Sequence, residues 1–224
     1  MTAFAIKMIA ISSMLIDHAG VVFDLHMGTR MIGRLAFPLF VYLIASSCHH
    51  TKSMEKYLFR LGIFALISEV PFDLAFNEYI DFLNRTNIFY TLFLGVFCVY
   101  VFKQVRHKPY YLQIFTIIAV ICAMTAASLL GTDFGPLGVL FVFLAAIFSE
   151  VKFFEVKYLQ LGVIASFMYL MYFSDVYLLA ASLVAVPVAA MASGKRGVYS
   201  EPVKWLFYWI YPMHLLVFAT IAML

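Results

Sequence analysis

The sequence predicts an all-α fold, a polytopic integral membrane helix bundle, on three observations. Of the 224 residues, 65% are hydrophobic and only 12% are charged, against about 25% charged in a soluble domain. Apolar stretches recur every 20–25 residues, close to the ~20 that one hydrocarbon crossing needs. Basic residues gather on alternate connections between those stretches. No segment is long enough for a separate soluble domain, so residues 1–224 read as a single transmembrane domain.

Nine helices follow in order: 4–25, 33–48, 57–76, 87–102, 110–130, 135–148, 158–173, 176–192 and 203–224. The first run follows Lys7 as a signal peptide would. Asp17 and His18 interrupt it where a small-residue cleavage site should come, so it is expected as an uncleaved span. Arg34 opens the second run, with Pro38 one turn on, and Pro71 falls inside the third. Asn87 starts the fourth, with Thr91 one turn below. Tyr57, Tyr110, Tyr111, Tyr158 and Trp205 mark inner helix ends as an interfacial aromatic belt. The run 135–148 would cover only ~21 Å, short of the ~30 Å hydrocarbon core, so eight or ten crossings also fit. Continuous apolarity, without period-two alternation, argues against strands.

Charge sets the orientation. With the amino terminus in the cytoplasm, the inner loops are 49–56, 103–109, 149–157 and 193–202. Together with Lys7, Arg60 and Lys204 at adjoining helix ends, they hold 12 of the 15 basic residues. Only Arg30, Arg34 and Arg85 fall on the other side, a strong positive-inside bias. No basic helix face or aromatic–basic alternation points to nucleic acid. Cys48, Cys98 and Cys122 lie singly in apolar runs and read as packing residues, so neither a disulfide nor a metal site is expected.

Ionisable groups inside such runs need an explanation, because each Asp or Arg near a helix centre costs roughly 2.5–3.5 kcal/mol on insertion scales. Counting along the helices places Asp17 ~15 Å past Lys7, Glu69 ~18 Å past Tyr57 and His214 ~14 Å past Trp205. Arg34, Asn87 and Thr91 start helices that run inward. Polar groups from five helices therefore converge between the midplane and the outer interface. Lys7, Ile11, Met14 and His18 share one helical stripe; Ala3, Ala10, Ser13, Asp17 and Gly20 share the next. The small residues let the Asp17 stripe approach other helices closely, while His18, 100° round, is placed to face a cavity.

Plainer readings exist for each group. Asp17 with Arg34 can be a register-fixing ion pair, and His18 a satisfied core histidine. Glu69 can re-satisfy backbone freed near Pro71. Asn87 and Thr91 can simply cap a helix. Lys52, Lys56, Arg106, Lys195 and Arg196 are explained by orientation alone.

The stretch from Lys7 through Asp17-His18-Ala-Gly20 resembles the opening of the TraX family. So do Gly33-Arg34-Leu-Ala-Phe37-Pro38, the turn His49-His50-Thr-Lys52, Tyr57-Leu-Phe-Arg60, Glu69-Val-Pro71-Phe-Asp73 and Asn87-Ile-Phe-Tyr-Thr91. The likeness covers about the first 105 residues. Tyr211-Pro-Met-His214 is similar to the last helix of wider membrane acyltransferase families. This resemblance implies a multi-pass protein of the bacterial inner membrane that acetylates the amino terminus of a pilin subunit. It also implies acetyl-CoA as co-substrate and a first-helix histidine, matched by His18.

The expected reaction is acetyl transfer from cytosolic acetyl-CoA to an amine or hydroxyl of a peptide, pilin-like or small-molecule acceptor at the outer side. His18 would be general base, since imidazole titrates near pH 6.5 and such assistance is typically worth ~10²–10⁴ in rate, or a transient acyl carrier. Asp17 would orient it. Arg34, Asn87 and Thr91 are donors suited to the thioester oxyanion, worth ~2.7–4 kcal/mol each in a dry site. Glu69, Asn87, Thr91 and His214 would meet the acceptor, and Lys52, Lys56, Arg60, Arg106 and Arg196 the cofactor phosphates. Two rivals remain: a proton- or cation-coupled transporter with Asp17, His18 and Glu69 as relay, and a non-enzymatic pilus-assembly scaffold.

Overall fold

A computed structural model describes residues 1–77, 80, 85–149 and 156–224. Its eleven α-helices are α1 (Ala3–Val22), α2 (Met27–Gly33), α3 (Ala36–His50), α4 (Met54–Phe76), α5 (Ile88–Val105), α6 (Ile114–Leu129), α7 (Gly135–Phe148), α8 (Val156–Tyr172), α9 (Val176–Leu183), α10 (Ala185–Ala190) and α11 (Glu201–Ala222). Among the described residues there is no strand, only an isolated bridge between Thr86 and Thr132. Among the described residues, five segments are long and apolar enough to cross a membrane: Ala3–Val22, Met27–His50, Ile88–Val105, Tyr110–Leu129 and Glu201–Ala222.

Several helix starts have a local cause. Thr2, Ser53, Asn87, Asp175 and Ser200 each accept a backbone N–H from the first turn of the helix they precede, satisfying donors that have no intrahelical partner. A 3₁₀ turn at Tyr110–Gln113 leads into α6.

One expected helix starts late and another is broken, and proline accounts for both. The second run does not start at Gly33; α2 ends there and α3 begins at Ala36, leaving Arg34 at the junction. Pro38 has no N–H to give the Arg34 carbonyl, and its ring crowds that carbonyl. The run 176–192 divides at Val184 because Pro187 does the same to the Leu183 carbonyl.

The bundle packs in a chain of neighbours. α1 lies against α2 and α3, α3 against α7, α7 against α5 and α6, and α5 against α4, which packs on α11. The core runs through α3, α5 and α7, where Leu39, Val41, Val96, Val139 and Val142 are fully buried. Gly95 lets α5 and α7 touch, since a Cβ there would overlap Val142. α6 shows Ile114, Phe115, Ile117, Ile118 and Ile121 to the outside, as lipid contact requires. Ala3 and Phe4 donate to the carbonyls of Lys195 and Arg196 (2.9 and 3.0 Å), so a basic loop is tied to the start of α1.

Candidate functional site

One cavity of about 830 Å³ runs beside α1. The stripe Phe4, Lys7, Ile11, Met14, His18 and Val21 faces it, about 26 Å of helix at 1.5 Å per residue. At one end the wall carries Lys52, Arg60, Arg196 and Lys204; at the other it carries Asp17, His18, Arg34 and Asp133. The neighbouring small stripe packs inward, with Ala10, Ser13 and Gly20 buried.

Asp17 sits where α1 meets the α2–α3 junction. Its two oxygens take Arg34 at 3.0 Å and Arg30 at 3.1 Å. Gly33 permits this approach, because a Cβ there would overlap the Asp17 carboxyl group. Arg34 also donates from Nε to the Arg30 carbonyl (3.1 Å) and from a terminal nitrogen to the Tyr172 hydroxyl (3.0 Å). Three of its five N–H groups are thus used, which leaves two for a ligand. Asp17 bonds the two guanidiniums, and the imidazole that it was expected to orient has another partner.

That partner is His214. His18 Nδ1 and His214 Nε2 are 2.7 Å apart, with ring planes 15° from parallel. His214 Nδ1 lies 2.7 Å from the Ile210 carbonyl. A carbonyl only accepts, so His214 Nδ1 carries the proton and its Nε2 offers a lone pair. His18 must then donate from Nδ1, which leaves Nε2 of a neutral His18 as the bare, basic nitrogen. Two hydrogen bonds fix the tautomer. Phe76 and Tyr211 pack edge-on against the His18 ring at 5.1 and 5.9 Å.

The remaining expected residues divide sharply. Glu69 and Asn87 are completely buried and lie off the cavity wall. Glu69 accepts the Asn87 backbone N–H (3.2 Å) and its side-chain amide, which also donates to the Ala65 carbonyl (2.8 Å). Asn87 Oδ1 caps α5 through Phe89 N–H (3.0 Å), the capping role open to it from sequence. Thr91 donates to the Asp133 carbonyl. His214 stands behind His18 and off the wall, so it reaches the lumen only through His18. Lys52, Arg60 and Arg196 line the cavity, whereas Lys56 and Arg106 are exposed outside it.

Other wall residues carry weaker signals in the sequence. Arg30 is one turn before Arg34, and an i, i+4 pair of guanidiniums beside a buried carboxylate was the available clue. Lys7 points its ammonium at the Phe207 ring, 4.4 Å from the centroid, between rim and His18. Asp133 lies in the short α6–α7 turn, yet its side chain opens on the lumen. Although the residue is exposed on the cavity wall, crowding by protein atoms pushes its carboxyl up to about 6, against the pull of Arg34 and Arg85. Among the described residues, no group of three His, Cys, Asp or Glu is placed to hold a metal ion.

Comparison with known proteins adds the context. The family described as TraX protein matches residues 3–222, nearly the whole chain. A relative from Dichelobacter nodosus, described as a probable fimbrial assembly protein FimC of serogroup H1, is 33% identical over 109 residues. That match takes in 42% of this chain and 44% of the relative, so the chain spans less than half of that protein's length. No solved structure matches.

Proposed function

We propose that this chain, which belongs to the TraX family, moves an acetyl group from acetyl-CoA to an amine or hydroxyl acceptor. The observation that carries the proposal is a single cavity with a basic rim at one end and a tautomer-fixed histidine at the other. Its volume falls within the ~300–1,000 Å³ of small-molecule sites. A nucleotide thioester has that polarity: phosphates at one end, an apolar arm, and a reactive carbonyl at the tip.

Lys52, Arg60, Arg196 and Lys204 would hold the phosphates on the cytoplasmic side of the inner membrane. The apolar wall of Ile11, Met14, Phe37 and Leu61 would take the arm. At the tip, the acceptor heteroatom attacks the thioester carbonyl as His18 Nε2 takes its proton. The His18 Nδ1–H bond to His214 steadies the imidazolium. The spare N–H groups of Arg34 face the developing oxyanion, a contribution of ~2.7–4 kcal/mol in a dry site. The C–S bond breaks, and the thiolate leaves with the proton from His18.

The fimbrial name of the relative supports a pilin-like amine as acceptor. A transporter relay is less well served, because Asp17 is held by two arginines and Glu69 by Asn87, away from the lumen. The test incubates purified protein in lipid nanodiscs with carbon-labelled acetyl-CoA and an amine-terminated peptide. Label passes to the peptide with the wild type and not with His18→Ala. Equal labelling by the variant removes His18 from the chemistry, and no labelling by the wild type removes the reaction.

A further inference from the structure

The turn joining α6 to α7 is held far more firmly than a connection requires. Asp133 N–H donates to the Thr86 carbonyl (3.0 Å), Thr86 N–H to the Gly131 carbonyl (3.3 Å), and Thr91 to the Asp133 carbonyl. Phe134 has φ +63°, a left-handed conformation uncommon outside glycine, which costs of order 1–3 kcal/mol. Its ring stacks on Phe37 at 3.7 Å and 7°, which keeps it there. The result turns the Asp133 carboxylate into the cavity. Strain held in place by this many contacts points to a use for the side chain that it aims.

Asp133 is exposed on the cavity wall and carries its charge there without an ion pair. Among the described residues no Lys or Arg lies within ion-pair distance of it. The charged groups that act on it are Arg30, Arg34, Arg85 and Asp17. Arg30 and Arg34 are already paired with Asp17. Arg85 donates to the Phe76 carbonyl and Asn77 Oδ1 (3.4 and 3.5 Å). Within electrostatic reach of Asp133, the Tyr211 hydroxyl is buried near the Ile88 backbone, and among the described residues it has no hydrogen-bond partner of good geometry. Tyr211 lines the same cavity, its ring 5.9 Å from that of His18. A carboxylate without a paired cation and a hydroxyl without a well-formed hydrogen bond therefore lie toward the His18 end of the cavity.

We propose that Asp133 and Tyr211 form the subsite for the acceptor's primary ammonium, resting on the acetyl-transfer reading. An ammonium has three N–H donors; the Asp133 carboxylate and the Tyr211 oxygen can receive two of them. Proton stoichiometry gives the carboxylate a second task. An α-ammonium, with an ordinary pKa of ~7.7–8.0, must lose one proton before it can attack and a second as the amide forms. The first passes to Asp133. The second passes to His18 Nε2 and leaves on the thiol, so the reaction releases one proton overall. A hydroxyl acceptor releases none and has no need of a second proton acceptor. Three guanidiniums against two carboxylates leave the region one charge positive, so small amines bind weakly and only by direct contact.

Binding can be read without any acetyl donor. Protein in nanodiscs at pH 7 is melted with glycinamide, with its hydroxyl analogue glycolamide, and with N-acetylglycinamide, each at tens of millimolar. Glycinamide alone should raise the midpoint, by about 3 °C at tenfold over its dissociation constant. Asp133→Asn should abolish the rise and Tyr211→Phe should at least halve it. If Asp133→Asn does not fold, Tyr211→Phe carries the test alone. Equal shifts from glycolamide or N-acetylglycinamide, a full glycinamide shift in both variants, or no shift at all overturn the subsite. A glycinamide shift in a protein that transfers no acetyl group supports the subsite and overturns the reaction.

Discussion

Two polar clusters lie within the bundle at similar depth, and they differ in one respect. Glu69, Asn87 and Thr91 bond to each other's elements and are sealed from the cavity. Asp17, His18 and Arg34 are as thoroughly hydrogen-bonded, yet each shows atoms to the lumen. An ionisable group in an apolar helix therefore does not, by itself, mark a reactive site. The first cluster uses its polarity to join α4 to α5 and to seat the α6–α7 turn; the second has valences left over.

The largest expected consequence is a divergence between activity and stability. His18→Ala should lower acetyl transfer by ~10²–10⁴ while shifting the unfolding midpoint little, because its ring borders open space. Asp17→Ala should do the reverse. It leaves Arg30 and Arg34 without a carboxylate, and because the pairs are only partly buried the loss falls below the ~3–5 kcal/mol of a broken buried pair, seen as poor recovery and a lower melting temperature in detergent. If Asp17→Ala melts like the wild type, the ion pairs are idle and the sealed-versus-open distinction loses half its support.

Asn87→Ala comes next, at ~1–3 kcal/mol, because Glu69 loses the side-chain amide donor, the Ala65 carbonyl loses the same amide, and α5 loses its cap. Thermal melts should show this in full. Among molecules that remain folded, activity per molecule should stay near that of the wild type. A selective loss of turnover would bring this cluster back into the chemistry.

How far the sequence could see follows the same division. The helices were legible because apolar runs of span length have few alternatives, and Asp17, His18 and Arg34 stood out because burying charge is costly. The breaks at Arg34 and Val184 needed closer attention to Pro38 and Pro187, whose missing N–H groups were in plain view. Neither the sealing of Glu69 nor the opening of Asp133 was legible. Glu69 is closed off by Asn87, 18 residues away. Asp133 is an ordinary turn residue until a left-handed Phe134 and a bond to Thr86 aim it inward. The Asp17–His18 adjacency misled for a geometric reason: side chains next to each other on a helix diverge by 100°, so the imidazole found its partner on α11.

Replacing that partner should give a smaller effect. His214→Phe removes the acceptor for His18 Nδ1–H without opening the lumen, and transfer should fall by about tenfold, the equivalent of ~1.4 kcal/mol. His214→Gln can still accept through its amide oxygen and should recover part of the loss. Nitrogen NMR of labelled His18 gives a readout apart from activity: the proton sits on Nδ1 in the wild type and shifts toward Nε2 in His214→Phe. An unchanged tautomer would mean that His214 only fills space.

The smallest effect concerns acid. Asp17 sits between two guanidiniums, whereas among the described residues Asp133 has none within bonding distance, and crowding by protein atoms holds its carboxyl up to about 6 from an ordinary 3.8, although the residue is exposed on the cavity wall. A carboxyl raised on folding binds its proton more tightly in the folded state than in the unfolded chain. Its contribution is therefore complete below about pH 4 and is lost as the pH rises through about 6. Partial contact with the lumen screens the group and keeps the change modest. Melting temperatures across pH 4–7 should decline for the wild type and flatten for Asp133→Asn, while Lys52→Ala on the basic rim should keep the wild-type slope. If Asp133→Asn and the wild type run parallel, the carboxylate is solvated well enough to need no partner, and the contrast with Asp17 disappears.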